Sequence, residues 1–158
     1  MCLPINPTMN PSDKQSVNAT RNDFYHFSSI PTRWIDNDIY GHVNNAVYYQ
    51  YFDTVANEYL IEKGGLDISS HIVAFIVAST CQYFSPIAHP ALIDVGFRVN
   101  KLGRSSVEYG MAIFDKGNIK AAAYGTFTHV FVNRAKGGSV AIPDKILLAL
   151  QVAHIKSN

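Results

Sequence analysis

Cysteine, charge and long apolar runs are all scarce in this sequence of 158 residues. Cys2 and Cys81 are its two cysteines. One sits in a loose, proline-broken tail and the other in an apolar run. The count allows one disulfide, but the placement favours two free thiols in a reducing, cytoplasmic compartment. Charged residues make up 16% of the chain, and 13 basic residues nearly balance 12 acidic ones, for a formal net charge of +1. That balance leaves no electrostatic footprint for nucleic acid or an anionic membrane surface. It also gives little colloidal repulsion, which suits an oligomer. No apolar stretch reaches the roughly 18 residues that a membrane span needs. The N-terminal MCLPINPTMNP lacks the apolar core of a secretory signal. Without such a signal, the glycosylation pattern Asn18-Ala19-Thr20 reads as coincidence. There is no Gly-x-Ser-x-Gly elbow to support a serine triad, and His71, His89 and His129 lack metal-ligand spacing.

The apolar fraction of 47% is that of a globular protein. The length suits one domain that buries its own core. Residues 1–22 are rich in Pro, Asn and Ser and read as a disordered N-terminal arm, leaving residues 23–158 as a single domain. The run FYHFSSIPTRW is strand-like, but Pro31 removes a ladder donor and places that strand near an edge. Beyond Asn45, the residues Tyr48, Tyr51, Phe52, Val55, Tyr59 and Leu60 recur at three- and four-residue steps. They predict one apolar stripe on a helix closed by Gly64-Gly65.

From His71 to Asn133 the pattern is that of strands. HIVAFIVASTCQYF is apolar on both faces, as a central strand would be. Ile93, Val95, Phe97 and Val99 alternate with polar residues, as do Val107, Tyr109, Met111 and Ile113. A last strand is predicted from Ile119 to about Val132. Pro143 then suits the first turn of a short helix carrying Ile146, Leu147 and Leu150. One strand, a long helix and four further strands make an α+β domain rather than a doubly wound one. A single helix cannot cover both faces of so apolar a sheet. A second subunit could, and so could the terminal arm and helix; the former makes a dimer at least.

The junction WIDNDIYGHVNN, Trp34 to Asn45, concentrates polar and turn-forming residues just ahead of the helix. Gly41 permits a tight turn or close approach of a ligand. Asn44 or Asn45 can cap the helix, whose first N–H groups are unpaired and favour negative charge. Such donors can hold an oxyanion on a carbonyl. A carboxylate at Asp38 can attack that carbonyl or activate a water, and His42 can orient a group or carry a proton. Capping and loop packing account for the same residues without chemistry.

The stretch RWIDNDIYGHVNNAVYYQYFDTVANEYL resembles the opening of the hotdog-fold acyl-CoA thioesterases, specifically the 4-hydroxybenzoyl-CoA thioesterase-like group. Asp36, Asp38, Gly41, His42, Asn44, Asn45 and Tyr48 match that group's loop in place, and the resemblance extends over roughly Phe24 to Arg134. It implies a long central helix wrapped by a five-stranded antiparallel sheet. It implies copies paired edge to edge as dimers, often tetramers, with sites at the interface. It also implies hydrolysis of acyl-CoA, with coenzyme A as part of the substrate and no separate cofactor or metal. On this chain the catalytic set would be Asp38, as nucleophile or base, Asn45, whose backbone N–H polarises the carbonyl, and His42. Gly41, Asn44 and Tyr48 would touch substrate. Asp36 would bond loop backbone, and Asp53 would be solvated or face the partner's site. Cations for the coenzyme phosphates would come from Arg104, Lys116, Arg134 or Lys136. The segment SPIAHPALIDVGF departs from the group's usual spacing of Pro and Gly there. Two rival readings remain: a non-catalytic oligomer that binds acyl thioesters, and hydrolysis of acyl-carrier-protein thioesters.

Overall fold

The computed structural model of the protein describes residues 19–154. Five strands, β1 (His26–Pro31), β2 (Ile72–Tyr83), β3 (Leu92–Leu102), β4 (Ser106–Asp115) and β5 (Ala123–Asn133), form one antiparallel sheet in the order β1-β3-β4-β5-β2. The long helix α1 (Asn45–Glu62) lies on its concave face, and a short helix α2 (Asp144–Val152) closes one end. This is the α+β hotdog arrangement.

The predicted stripe forms the helix side of the core. Tyr48, Tyr51, Phe52, Val55, Tyr59 and Leu60 are all buried, joined by Ala56. Each large apolar side chain so buried is worth roughly 1.5–3 kcal/mol. Opposite them stand Ile93, Val95, Phe97 and Val99 of β3 and Val107, Tyr109, Met111 and Ile113 of β4, each at most 1% exposed. Tyr59 stacks on Phe97 with centroids 4.5 Å apart, and its hydroxyl donates to the Ala149 carbonyl in α2. Ile146 and Leu150 of α2 join the same core. Pro143 precedes this helix rather than sitting in its first turn.

Three expectations need correction. First, β2 is not central: it is the edge strand beyond β5, and Phe75, Ile76 and Val77 are 55%, 43% and 61% exposed. Its run looked buried on both faces because a bulge interrupts it. Ile76 pairs with His129 and Ala78 with Thr128, so Val77 is an extra residue. Ile72 and Ala74 face the core before it, and Cys81 and Tyr83 after it, which a strict two-residue alternation hides. Second, packing starts before Asn22. Ala19 is buried, Thr20 bridges Lys120, and Phe24 packs on Phe114 and Tyr124 across the convex face. Arg21 lies 4.9 Å from the Phe114 ring centroid and pairs with Asp94 at 2.8 Å. The rest of the expected arm, with Cys2 and Asn18, lies outside the described residues. Third, β5 begins at Ala123 rather than Ile119, because Lys120 turns aside to pair with Thr20. The strap of residues 19–24 and helix α2 therefore each cover part of the sheet, but neither covers β2.

Gly125 of β5 lies tight against the Phe52 side chain of α1. A Cβ there would stand 2.5 Å from both the Phe52 ring and the Thr80 carbonyl oxygen of β2. Because one obstacle is backbone, the sheet cannot yield cheaply. Gly125→Ala is expected to cost about 1–3 kcal/mol in urea unfolding. An unchanged midpoint would show that the helix is not seated this tightly.

Candidate active site

The chain leaves β1 at Pro31, makes a single tight turn over Trp34–Asp36, and enters α1 through a closed loop. Two backbone contacts form the loop's sides: Asn37 bridges Val43, and the Asp38 N–H donates to the His42 carbonyl at 2.8 Å. At its tip the Gly41 N–H donates back to the Asp38 carbonyl at 3.0 Å, with Gly41 at φ +81°, a conformation that excludes most side chains. A neighbouring loop supports it, since Val43 N–H donates to Ile87 and the Asn37 side chain accepts from the His89 N–H.

The structure selects between the two candidate caps. Asn44, not Asn45, is the N-cap, its Oδ1 accepting from the Ala46 N–H at 2.9 Å. Asn45 is the first helical residue, and its N–H finds no acceptor among the described residues. The separation of duties is physical, because a cap side chain satisfies the donor two or three residues on and leaves the first free.

Asp38, His42, Asn45 and Tyr48 come together around one concavity of about 170 Å³, with Val43, Tyr83, Ser85 and Pro86 completing its wall. Asp38 is half-buried; one of its oxygens, Oδ1, accepts from the Tyr40 N–H at 2.8 Å. Two other expected contact residues lie off this wall: Gly41 shapes the turn and Asn44 caps the helix. Tyr48 is core and wall at once, 3% exposed and edge-on to Tyr83 at 5.0 Å. Tyr83, whose hydroxyl donates to the Asn45 carbonyl at 2.9 Å, escaped the sequence reading. It stands at the end of a distant strand, with no local motif to mark it.

Beneath the loop lies Asp36, 0% exposed. Its Oδ2 accepts from the Arg33 N–H and the Tyr51 hydroxyl, both at 2.7 Å, and its Oδ1 from the Arg33 guanidinium at 2.7 and 2.9 Å. Its carbonyl accepts from the Asn44 N–H at 2.8 Å. Burial pushes the Asp36 carboxyl upward, but the Arg33 and Tyr51 hydrogen bonds and the Arg33 charge outweigh it and hold it below its ordinary 3.8. Burial, with the bond to Asp36, raises the Tyr51 hydroxyl correspondingly.

Comparison with known proteins supplies the lineage. The thioesterase-like superfamily matches this chain over residues 31–150. The chain belongs to that superfamily. The PA5185 protein of Pseudomonas aeruginosa PAO1 is 48% identical, the match covering 89% of this chain and 99% of that one, with a TM-score of 0.87. The PA2801 protein of the same species is 31% identical over 80% of this chain and 98% of its own, with a TM-score of 0.74. A protein of Aquifex aeolicus (strain VF5) is 25% identical over 124 residues, 75% of this chain and 92% of that one.

Other polar groups of this thioesterase-like chain lie apart from the concavity. Arg104, Lys116, Arg134 and Lys136 are exposed turn residues, and none lines it. His129 is buried under α1 with Nδ1 3.3 Å from the Tyr109 hydroxyl, and burial lowers its pKa to about 4. Burial pushes the Cys81 thiol up to about 11, so it is no thiolate near neutrality. Among the described residues, no group of three or more His, Cys, Asp or Glu side chains could hold a metal, and no helix is long and apolar enough to cross a membrane.

The depressed Asp36 carboxyl sets a pH dependence. Its contribution to stability is complete above the unfolded value of 3.8 and is lost as pH falls through the lower folded value. Asp36→Asn is expected to be less stable by about 1–3 kcal/mol at neutral pH. It should also lose less further stability than the native chain between pH 4 and pH 2, as urea titrations at each pH would show. Parallel acid profiles would remove Asp36 from this role.

Proposed function

We propose that this chain hydrolyses acyl-CoA thioesters to the free acid and coenzyme A, with Asp38 as the reacting carboxylate. The observation that carries this reading is the meeting of the Asp38 carboxylate and the unpaired Asn45 N–H at one concavity. A thioester carbonyl placed between them would direct its oxygen at the helix N-terminus, where the dipole and the free donor stabilise developing negative charge. The carbonyl carbon would face Asp38. Of its oxygens, Oδ1 is held by Tyr40, which leaves Oδ2 to attack or to take a proton from a water that attacks. On the water route, collapse of the tetrahedral intermediate with cleavage of the C–S bond gives the free acid directly; after direct attack it gives an acyl–Asp38 anhydride, which a water then hydrolyses to the acid and the restored carboxylate. On either route the coenzyme thiolate leaves and is protonated. His42, exposed at the loop's return, stands on the same wall to carry that proton. The superfamily supports the chemistry. Among proteins of the same fold are a gentisyl-coenzyme A thioesterase, 22% identical, and a 1,4-dihydroxy-2-naphthoyl-CoA thioesterase of Synechocystis, 13% identical.

We further propose that the functional unit is an oligomer joined through β2. An edge strand with open backbone groups and exposed Phe75, Ile76 and Val77 is a template for pairing with a second copy. The concavity is shallow and partly walled by residues just beyond β2, Ser85 and Pro86, so a second copy along that edge would deepen it.

Free-thiol release from short, medium, long-chain and aromatic acyl-CoAs tests the chemistry. Saturable release is expected for at least one class, with Asp38→Asn slower by about 10²–10⁴-fold. Equal rates for the two proteins would sink the mechanism. For the assembly, Phe75→Lys combined with Ile76→Lys is expected to lower the mass measured by sedimentation to that of one chain. A native chain that sediments as a monomer would refute pairing outright.

A further inference from the structure

We propose that Tyr51 and Asp36 act together as a positioning pair, setting where Asp38 stands relative to the N-terminus of α1. This rests on the reading of Asp38 as the reacting group. The argument begins with connectivity. Asp36 lies two residues before Asp38, and its carbonyl receives the N–H of the cap residue Asn44, so it ties together both ends of the loop that carries Asp38. Tyr51 lies on the second turn of the helix that this loop introduces, and its hydroxyl donates 2.7 Å to the Asp36 carboxylate. The helix thus reaches back to grip its own entry loop. Besides this grip, the helix is tied to the loop by the Asn44 side-chain cap on Ala46 and, from Arg33 just before the loop, by an exposed contact to Gln50 at 3.3 Å.

Burial separates this bond from the other partner of Asp36. The Arg33 side chain is 61% exposed, so its ion pair opens to water and is weakened by it. Tyr51 is 4% exposed and Asp36 fully buried, so their bond is screened little and holds a defined length. Beside the tyrosines Tyr48, Tyr59 and Tyr109, the concave core around α1 holds four phenylalanines, Phe52, Phe97, Phe127 and Phe131. Packing alone would be served by another at residue 51. The hydroxyl has one described partner, and that partner is Asp36.

A small error in placing a reacting group costs far more in rate than in binding. Tyr51→Phe keeps the ring and removes only the grip. On the best acyl-CoA of the panel it is expected to lower kcat by about 10–100-fold while KM stays within about twofold. Amide exchange supplies a readout independent of turnover. The Asp38, Gly41 and Asn44 N–H groups, which donate within the loop, should exchange faster in Tyr51→Phe, while that of Met111 in β4 keeps its native rate. Asp36→Asn, which retains one acceptor oxygen, should fall between the native chain and Asp36→Ala in kcat. Native kcat in Tyr51→Phe, with Asp38→Asn inactive, would overturn the positioning role and leave the role of Asp38 intact. A loss confined to KM, or one in which Met111 exchange rises with the loop, would overturn it as well, since either is what general loosening produces. Full turnover by Asp38→Asn would overturn both.

Discussion

Everything in this molecule is arranged around the seating of one 18-residue helix on the concave face of a five-stranded sheet. A helix held there must enter the fold at the rim, where its first N–H groups point out of the protein with no carbonyl to receive them. The fold needs those groups for nothing else. Their cost is met by a cap at Asn44 and by exposure to solvent at Asn45. The same exposure makes the helix N-terminus available to a carbonyl oxygen. A structural necessity of wrapping a helix in a sheet is thus also the electrostatic half of the candidate site.

The second half is a carboxylate, and a carboxylate needs a reason to stay in place. The loop from Asp36 to Asn44 supplies it in two layers. Its upper layer is a narrow turn that holds the Asp38 side chain by the Tyr40 N–H. Its lower layer is the buried Asp36, which receives donors from backbone, guanidinium and the Tyr51 phenol at once. A buried charge is tolerated when it is bonded on every side, and it then becomes one of the stiffest points of a structure. The two aspartates, two residues apart, accordingly have opposite lives: one is saturated and inaccessible, the other half-open with an oxygen to spare.

On the far side of the sheet, strand β2 shows the opposite treatment of apolar surface. Elsewhere the chain covers its own sheet, with α2 over the end of β3 and the strap of residues 19–24 over Ala112, Phe114 and Tyr124. Along the middle of β2 it leaves Phe75, Ile76 and Val77 exposed, three large apolar residues in a row. Proteins seldom leave a long apolar edge open, because it templates pairing with other chains. The proposed pairing with a second copy would cover this apolar stretch.

The sequence by itself determined the elements and half of the site. The helix was legible because its apolar stripe recurs at the helical period, with Asp53, Asn57 and Glu58 falling between its members, and β3 and β4 because their alternation is clean. Asp38, His42, Asn45 and Tyr48 were legible because they lie within eleven residues of one another on a loop and the helix it introduces, where local chain geometry alone brings them together. The tertiary structure decided what depends on distant contacts. It put β2 at the edge, since an apolar run reads the same whether a strand of its own chain or no strand lies beside it. It placed bulges at Val77 and Asn100, each of which shifts the alternation by one residue. It recruited Thr20 and Arg21 to the convex face through partners about a hundred residues away in the chain. It also brought Tyr83 to Asn45 and Tyr51 to Asp36, contacts of single hydroxyl groups that no periodicity encodes and that exist only once helix and sheet are packed.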